Sequence, residues 1–316
     1  MLQQSYLCAL FEMKLLEKLI DIPSPSGSEH LMRDFIIDYV KKNSPEWSVK
    51  PKLIYGDQFQ DNLILVFGEP RTAIFAHMDT IGFTVRYQDQ LVPIGGPHAE
   101  TGYDLVGKDG MGFIDAKLRV DEEHQLFYDF PRAIETGTTL TWKPNLKVTE
   151  EYIQGPYMDN RLGIYNALKV AETLEDGMLV FSCFEEHGGG SVPMLIRYVH
   201  ENYPNVRQAL ISDITWVTEG VQHGKGVAIS LRDRNIPRKK FINRILALAD
   251  ESGVSYQLEV EGGGSSDGRE VHHSPYPIDW LFIGAPEDNV HSPNEKVHIK
   301  DLVSMISLYK FLMEHL

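Results

Sequence analysis

The stretch Ala73-Ile74-Phe75-Ala76-His77-Met78-Asp79 joins a short apolar run directly to a histidine and an aspartate. Four apolar residues in a row, with no helical spacing around them, predict a buried β-strand. Residues two apart on an extended chain point to the same side, so His77 and Asp79 share one face. His77 is therefore a candidate metal ligand, and Asp79 a candidate acceptor for its other ring N–H. An ordinary polar strand end is the alternative interpretation of this stretch alone.

Outward from this strand, the chain alternates between short apolar runs and segments with helical spacing. The turn between Ile22 and Ser28, rich in Pro, Ser and Gly, separates two predicted N-terminal helices. Strands are predicted at Leu63–Phe67, Met178–Cys183, Ala209–Ser212, Val227–Leu231, Tyr256–Val260 and Trp280–Ile283, and helices near 160–174, 190–203, 237–250 and 300–315. This order predicts an α/β fold, a mixed sheet with helices on both of its faces.

The region from about Val85 to Gln154 has a different texture. Polar and apolar stretches alternate there, and turn dipeptides occur at Gly95-Gly96 and Asp109-Gly110. We predict a small all-β subdomain at 85–154, inserted into a catalytic domain formed by 1–84 and 155–316.

Acids and histidines follow several of the predicted strands. Glu185 and Glu186 close the strand at Met178–Cys183, and Asp213 follows the one at Ala209–Ser212. Ligands of α/β proteins bind beyond the carboxyl ends of the strands, so this position favours a functional site.

Two further residues have weaker signals when taken singly. Asp159 precedes a predicted helix, where an N-cap is the simpler explanation, and His291 lies in a loop. Together with the others, however, they form a set of His, Asp and Glu side chains without a thiolate. Such a set suits two ions of zinc, cobalt or manganese, with one Asp bridging them.

Composition narrows the function classes further. The 316 residues carry a formal net charge of −15, which disfavours nucleic acid as a partner, and no apolar run is long enough to cross a bilayer. Only Cys8 and Cys183 occur, and the N-terminus lacks the pattern of a signal peptide. We expect a cytoplasmic protein in which Cys183 is a buried strand residue rather than a nucleophile.

Several motifs together resemble the clan of dinuclear metallopeptidases, and most closely its M42, glutamyl-aminopeptidase-like family. The resemblance spans nearly the whole chain. The motifs are Pro23-Ser24-Pro25-Ser26-Gly27, Ala76-His77-Met78-Asp79 with Ile81-Gly82-Phe83, Met158-Asp159-Asn160-Arg161, Glu185-Glu186, Ser212-Asp213 and His291-Ser292-Pro293.

This resemblance implies two metal sites that share Asp159, with zinc as the first candidate. One metal would be held by His77, Asp159 and Asp213, and the other by Asp159, Glu186 and His291. The resemblance also places Glu185 at the general acid/base position and Asp79 at the carboxylate that orients His77. It predicts a cis peptide bond at Asp159-Asn160.

The sequence departs from the family pattern at three places. His187-Gly188-Gly189-Gly190 follows Glu186 instead of an aliphatic residue, Asn160 replaces a second Asp, and the predicted insertion is short. The loop Gly262–Gly268 lacks the ending of a phosphate loop and resembles the family's substrate-site loop instead. We take His187, Gly264 and Asp267 as candidate substrate contacts. We expect a homo-oligomer, although the short insertion does not assure a dodecamer.

These residues predict hydrolysis by water activated between two divalent ions, with Glu185 moving the proton. The resemblance makes the substrate a peptide with a free N-terminus. A related amidohydrolase, a deacylase or carboxypeptidase acting on N-acyl amino acids, remains an alternative. So does a binding protein that kept this fold and lost its chemistry.

Overall fold

The computed structural model describes residues 13–316, which form two β-sheets with helices around the larger one. Cys8 and the rest of the predicted N-terminal features at 1–12 lie outside these residues. The strands are β1 (Lys52–Ile54), β2 (Leu63–Phe67), β3 (Thr72–His77), β4 (Gly82–Val85), β5 (Leu91–Ile94), β6 (Asp104–Asp109), β7 (Gly112–Val120), β8 (Leu126–Asp129), β9 (Thr139–Trp142), β10 (Lys147–Val148), β11 (Tyr152–Gly155), β12 (Gly177–Ser182), β13 (Gln208–Trp216), β14 (Val227–Arg232), β15 (Tyr256–Val260), β16 (Asp279–Asp288) and β17 (Glu295–His298).

The first helix of the described residues, α1, covers 13–20. The others are α2 (His30–Asn43), α3 (Met158–Ala171), α4 (Val192–Asn202), α5 (Lys239–Ser252), α6 (Gly268–His273) and α7 (Ile299–His315). No helix among these described residues is long and apolar enough to cross a membrane.

The large sheet is mixed and has eleven strands in the order β1-β2-β12-β3-β13-β16-β17-β11-β10, with β14 on β16 and β15 on β14. Its centre is parallel: β3 lies between β12 and β13, and β13 pairs with β16. The carboxyl ends of these four strands therefore meet at one edge, where α/β sheets bind their ligands.

Three central strands of the large sheet, β2, β3 and β12, are buried along their whole length, so their side chains are covered on both faces. In β2, Leu63, Leu65 and Phe67 join the apolar cluster that contains α1, α2, α3, α5 and α7. Ile64 and Val66 of the same strand join the cluster under α4 and α6 on the opposite face. The period-2 alternation thus divides one strand between two cores, each large apolar side chain contributing about 1.5–3 kcal/mol on burial. This confirms the predicted mixed sheet between two layers of helices.

The smaller sheet has six strands, in the order β5-β4-β9-β6-β7-β8. It runs from Gly82 to Trp142, whereas β10 and β11 pair with the edge of the large sheet. The division of the chain into domains at 84/85 and 154/155 stays a prediction. The strands of the smaller sheet begin slightly before 85, at Gly82, and end well before 154, at Trp142.

Several predicted boundaries need correction. Asp213 was expected after its strand, yet β13 continues through it to Trp216, because β16 pairs with β13 along this whole length. The sequence also gave no indication of β17 or of α6, a helix of six residues that follows the glycine-rich loop. Both elements are too short for periodicity to reveal them.

Candidate metal centre

The first group of candidate ligands lies at the carboxyl edge of the parallel strands. His77 is the last residue of β3, Asp213 lies in the neighbouring β13, and Asp159 is in the first turn of α3. The Nε2 atom of His77 is 3.1 Å from Asp159 Oδ1 and 3.4 Å from Asp213 Oδ2. One atom from each side chain lies within 4.8 Å of the others, a spacing that can hold a metal ion.

The second group shares Asp159 with the first. His291 Nε2 is 3.3 Å from Asp159 Oδ2 and 3.2 Å from Glu186 Oε2. The ligand atoms of these three residues also lie within 4.8 Å of one another. Asp159 thus presents one carboxylate oxygen to each group, which is the arrangement of a bridging ligand.

Local backbone geometry carries Asp159 into this position. The Asp159-Asn160 peptide bond is cis, which confirms the prediction, and both residues have non-helical φ and ψ at the start of α3. The Asn160 side chain donates to Ser212 O at 2.9 Å and accepts from Gly163 N at 2.8 Å. Asn160 therefore ties the start of α3 to β13, the strand that carries Asp213.

Asp79 organises the backbone around both groups. Its two carboxylate oxygens accept hydrogen bonds from the backbone N–H groups of Glu185 and Glu186, each at 3.0 Å. Asp79 Oδ2 also accepts from Ser26 Oγ at 2.6 Å. The His77 Nδ1 atom lies 3.1 Å from the backbone oxygen of Asp79 and 3.4 Å from its carboxylate. Either acceptor holds the proton on Nδ1 and leaves Nε2 free to ligate.

Glu185 lies beside the first group without belonging to it. Its Oε2 is 3.9 Å from His77 Nε2, and its side chain lines the same cavity as Asp159 and Asp213. Burial, together with the charges of Glu186 and Asp213, raises the pKa of Glu185 well above its ordinary value, and His77 only partly opposes this. A carboxyl group with a raised pKa can both take up and return a proton near neutral pH.

The pKa values in the two groups of candidate ligands reflect the interaction between the carboxylates and the histidines. Burial alone would lower the pKa of His291, but its hydrogen bonds with Asp159 and Glu186 raise it to about 12. Burial raises the pKa of Glu186 to about 7, helped by the charge of Asp159. For Asp159 burial acts in the same upward direction, yet the hydrogen bonds from the two histidines outweigh it and lower the pKa.

Unsatisfied acceptors indicate that a cation fits here. Glu186 Oε1 is buried and receives no hydrogen bond from the described residues, and the buried Asp159 Oδ1 can accept one only from a protonated Nε2 of His77. A buried carboxylate oxygen without a donor is costly, and a coordinated cation removes that cost. The nitrogen and oxygen donors suit zinc, cobalt or manganese.

The three candidate substrate contacts occupy different positions. Gly264 lines the cavity beside the two groups of candidate ligands, and its φ is 71°. His187 accepts a hydrogen bond from Gly95 N of the inserted region at 3.1 Å. Asp267 is buried, bonds to Ser182 Oγ, and lines a smaller recess of about 80 Å³ beside Glu185.

The sequence did not predict a role for Glu295. Its carboxylate accepts hydrogen bonds from backbone N–H groups at Asp159 and His291, which are candidate ligands. Its Oε1 accepts from His291 N at 2.9 Å, and its Oε2 accepts from Met158 N at 2.5 Å and from Asp159 N at 3.3 Å. Glu295 is 1% exposed. In the sequence it follows His291 by four residues in a polar segment, where a single acid carries no signal of burial.

Known proteins resemble the chain over nearly its whole length. It is 25% identical to a lysyl aminopeptidase of Pyrococcus furiosus over 358 residues, covering 97% of this chain and 98% of that protein. An aminopeptidase from the archaeon Desulfurococcus kamchatkensis has a similar structure, with a TM-score of 0.85 at 22% identity over 96% of this chain and 95% of the other. The TET1 peptidase of Pyrococcus horikoshii has a TM-score of 0.78 at 21% identity, over 95% and 98%.

Fold and site together define a hydrolase of the aminopeptidase class. The profile of the M42 glutamyl aminopeptidase family matches residues 111–308, more than half of the chain. The protein belongs to this family, as its motifs predicted.

Proposed function

We propose that the protein removes N-terminal residues from peptides and requires two divalent metal ions, with zinc the first candidate and cobalt or manganese the alternatives. His77, Asp159 and Asp213 would hold one ion, and Asp159, Glu186 and His291 the other. The observation that carries this proposal is the carboxylate of Asp159, whose two oxygens face the two histidines at 3.1 and 3.3 Å.

Two divalent ions in such a site would lower the pKa of a water molecule and polarise the scissile carbonyl group. Glu185 then takes the proton of the attacking water and returns it to the leaving nitrogen, because its side chain lines the cavity beside both groups. Asp79 positions Glu185 and Glu186 through their backbone N–H groups.

The charge of the cavity favours a free N-terminus over a blocked one. Seven carboxylates line it, more than two divalent ions would balance: those of Asp159, Glu185, Glu186, Asp213, Asp233, Glu259 and Glu261. An α-ammonium group approaches such a surface favourably, whereas an N-acyl group gains nothing from it. This distinguishes the aminopeptidase from a deacylase that uses the same metal geometry.

The test combines metal content with substrate selection. Elemental analysis should find about two zinc, cobalt or manganese ions per chain after reconstitution. Free aminoacyl anilides should be cleaved and their N-acetylated forms should not. Cleavage of the acetylated forms alone would indicate an amidohydrolase, and a chain that binds no metal would be a binding protein of the same fold.

The role of Glu185 can be tested separately from metal binding. Glu185→Gln should keep about two metals per chain and lose a factor of roughly 10² to 10⁴ in kcat, because the amide cannot transfer the proton. Glu172→Gln, a change directly after the C-terminal end of α3, serves as the charge control. Turnover near that of the unchanged protein in Glu185→Gln would remove Glu185 from the mechanism.

We also propose that the protein is a homo-oligomer. The similar TET1 peptidase of Pyrococcus horikoshii assembles into a tetrahedron or a large octahedral shell. Met111 and Phe113 on the smaller sheet are 71% and 68% exposed, and apolar exposure of this kind is common at interfaces between subunits. Light scattering with size-exclusion chromatography measures the mass, and Phe113→Asp should reduce it; a mass of 35.9 kDa for the unchanged chain would show a monomer.

A further inference from the structure

The loop that carries Glu185 and Glu186 begins with an unusual turn at Phe184. Phe184 has a φ of 65°, the left-handed conformation that bulky side chains rarely adopt. The turn lies between the end of β12 and the two adjacent acids. The direction of the Glu185 side chain therefore depends on whether Phe184 keeps this conformation.

Three consecutive backbone N–H groups in this loop donate to two buried carboxyl groups. Those of Glu185 and Glu186 donate to the two oxygens of Asp79. The N–H group of Phe184 donates to Glu29 Oε1 at 3.1 Å. Glu29 thus holds the residue at which the chain turns, and Asp79 holds the two residues that follow.

The segment directly before α2 supports both of these carboxyl contacts. Ser26 Oγ donates to Asp79 Oδ2 at 2.6 Å, and Glu29 lies three residues further along the chain. A Cβ atom at Gly27, between them, would lie 3.7 Å from Phe184 Cε1. The N-terminal turn therefore contacts the ring of Phe184 as well as its backbone.

Packing alone does not explain an acid at position 29. Glu29 is 0% exposed, and none of the ion pairs among the described residues includes it. Burial and the charge of Asp79 raise the pKa of Glu29 to about 7, although nearby backbone N–H groups oppose this. A methionine would fill the same space without the cost of burying an acid, but it would offer no acceptor to Phe184 N.

We infer that Glu29 is a positioning residue for Glu185: its side-chain oxygen holds Phe184 in the left-handed conformation that directs Glu185 into the cavity. This inference rests on the proposed function, because Glu185 must move a proton in that cavity. The hydrogen bond from Phe184 N needs only an oxygen acceptor, which a glutamine also provides.

The main test compares Glu29→Gln with Glu29→Met, because the two side chains have similar lengths and only glutamine keeps the acceptor. With a free aminoacyl anilide, we expect Glu29→Met to lose about tenfold in kcat and to change KM by less than about twofold. Glu29→Gln should keep kcat within about threefold of the unchanged protein. Both variants should still bind about two metals per chain. Glu46→Met makes the same change at an exposed acid and should keep kcat.

Thermal unfolding separates positioning from a purely structural role. If Glu29 only stabilised the fold, activity would follow stability, and methionine, which is easier to bury, would be as active as glutamine. We expect instead that Glu29→Met has a Tm no lower than that of Glu29→Gln and yet the lower kcat. Equal kcat in the two folded variants would overturn the inference.

A further variant without an acceptor, Glu29→Ala, covers the case in which Glu29→Met does not fold. It should show the same loss of kcat relative to Glu29→Gln. Failure of both Glu29→Met and Glu29→Ala to fold, while Glu29→Gln folds, would assign Glu29 to the stability of the fold and overturn its positioning role.

Phe184→Gly tests the conformational step, since glycine adopts a φ of 65° without steric cost. When Phe184→Gly is already present, Glu29→Met should reduce kcat by only about twofold instead of about tenfold. An undiminished loss would show that Glu29 does not act through the turn at Phe184 and would overturn the inference.

Amide hydrogen exchange of the metal-free protein provides a readout that does not depend on turnover. The N–H group of Phe184 should exchange about tenfold faster in Glu29→Met than in Glu29→Gln. Equal exchange rates in these two variants would overturn the role of Glu29 and leave the aminopeptidase standing. Failure of the unchanged, metal-loaded protein to cleave any free aminoacyl anilide would overturn the proposed function itself.

Discussion

Two histidines with raised pKa values characterise the centre at the scale of single residues. Burial lowers the pKa of His77, but the charge of Asp213 and hydrogen bonds with Asp159 and Asp213 raise it well above the ordinary value. His291 shows the same balance, with a pKa of about 12. Both shifts favour the doubly protonated ring, in which Nε2 carries a proton that a bound cation would have to displace.

Metal binding should consequently release protons. A ligating imidazole nitrogen must be unprotonated, and the pKa of each histidine is raised, to about 12 for His291. Filling both sites at pH 7 should therefore displace up to two protons, with a further fraction from Glu186, whose pKa is about 7. Calorimetric titration of the metal-free protein with zinc, in buffers of different ionisation enthalpy, measures this number. His291→Ala should reduce it by about one. A binding enthalpy that is the same in all buffers would contradict the raised pKa values.

At the scale of elements, the centre depends on how closely α3 packs against β13. Gly163 allows this contact, since a Cβ atom at this position would lie 2.1 Å from Ser212 O and 2.2 Å from Asn160 Oδ1. The same two groups hold the start of α3, where Asp159 lies. The position of the Asp159 carboxylate is therefore set by the packing of a helix on a strand.

Gly163→Ala should separate these two elements. We expect a loss of about 1–3 kcal/mol in the free energy of unfolding, as in other overpacked interiors, together with weaker zinc binding because Asp159 moves with α3. Denaturant unfolding and zinc titration measure the two effects. Gly262→Ala is the control, because no atom lies within 4 Å of a Cβ atom at that position. Equal stability of the two variants would show that α3 can shift without cost.

At the scale of the whole molecule, the centre joins segments that are far apart in the chain. The candidate ligands range from His77 to His291 and come from β3, α3, β13 and two loops. The inserted region also takes part, because Gly96 O lies 3.0 Å from His291 Nδ1 and Trp142 Nε1 donates to His291 O at 3.2 Å. A cation bound here would link both sheets.

Removal of metal should therefore lower the thermal stability of the entire chain. Zinc at about 100 times its Kd should stabilise the folded protein by roughly 2.7 kcal/mol for each independent site, provided that the unfolded chain does not bind it. Calorimetric scans before and after treatment with a chelator measure the shift in Tm, and His291→Ala should show a smaller one. An unchanged Tm after complete removal would mean that the metals do not hold the segments together.

The local pattern of polar and apolar residues predicted several of the strands and helices correctly. The strands predicted at Leu63–Phe67 and Tyr256–Val260 coincide with β2 and β15, and the helix predicted near 237–250 appears as α5 at Lys239–Ser252. Hydrophobic periodicity reports whether an element is buried on one face or on two, and this information is contained in neighbouring residues. The motifs around His77 and Asp159 can likewise be recognised from a few consecutive residues.

The sequence by itself determined the fold class, the family and the set of candidate ligands. Tertiary structure alone decided that β13 continues through Asp213, because its length depends on pairing with β16 from a remote part of the chain. It also decided that Glu295 is buried and accepts hydrogen bonds from the backbone of Asp159 and His291. Likewise, only the tertiary structure places Glu259 in the lining of the cavity beside the candidate ligands. Burial and charge pairing of single acids depend on contacts between distant segments, and no local pattern of residues records them.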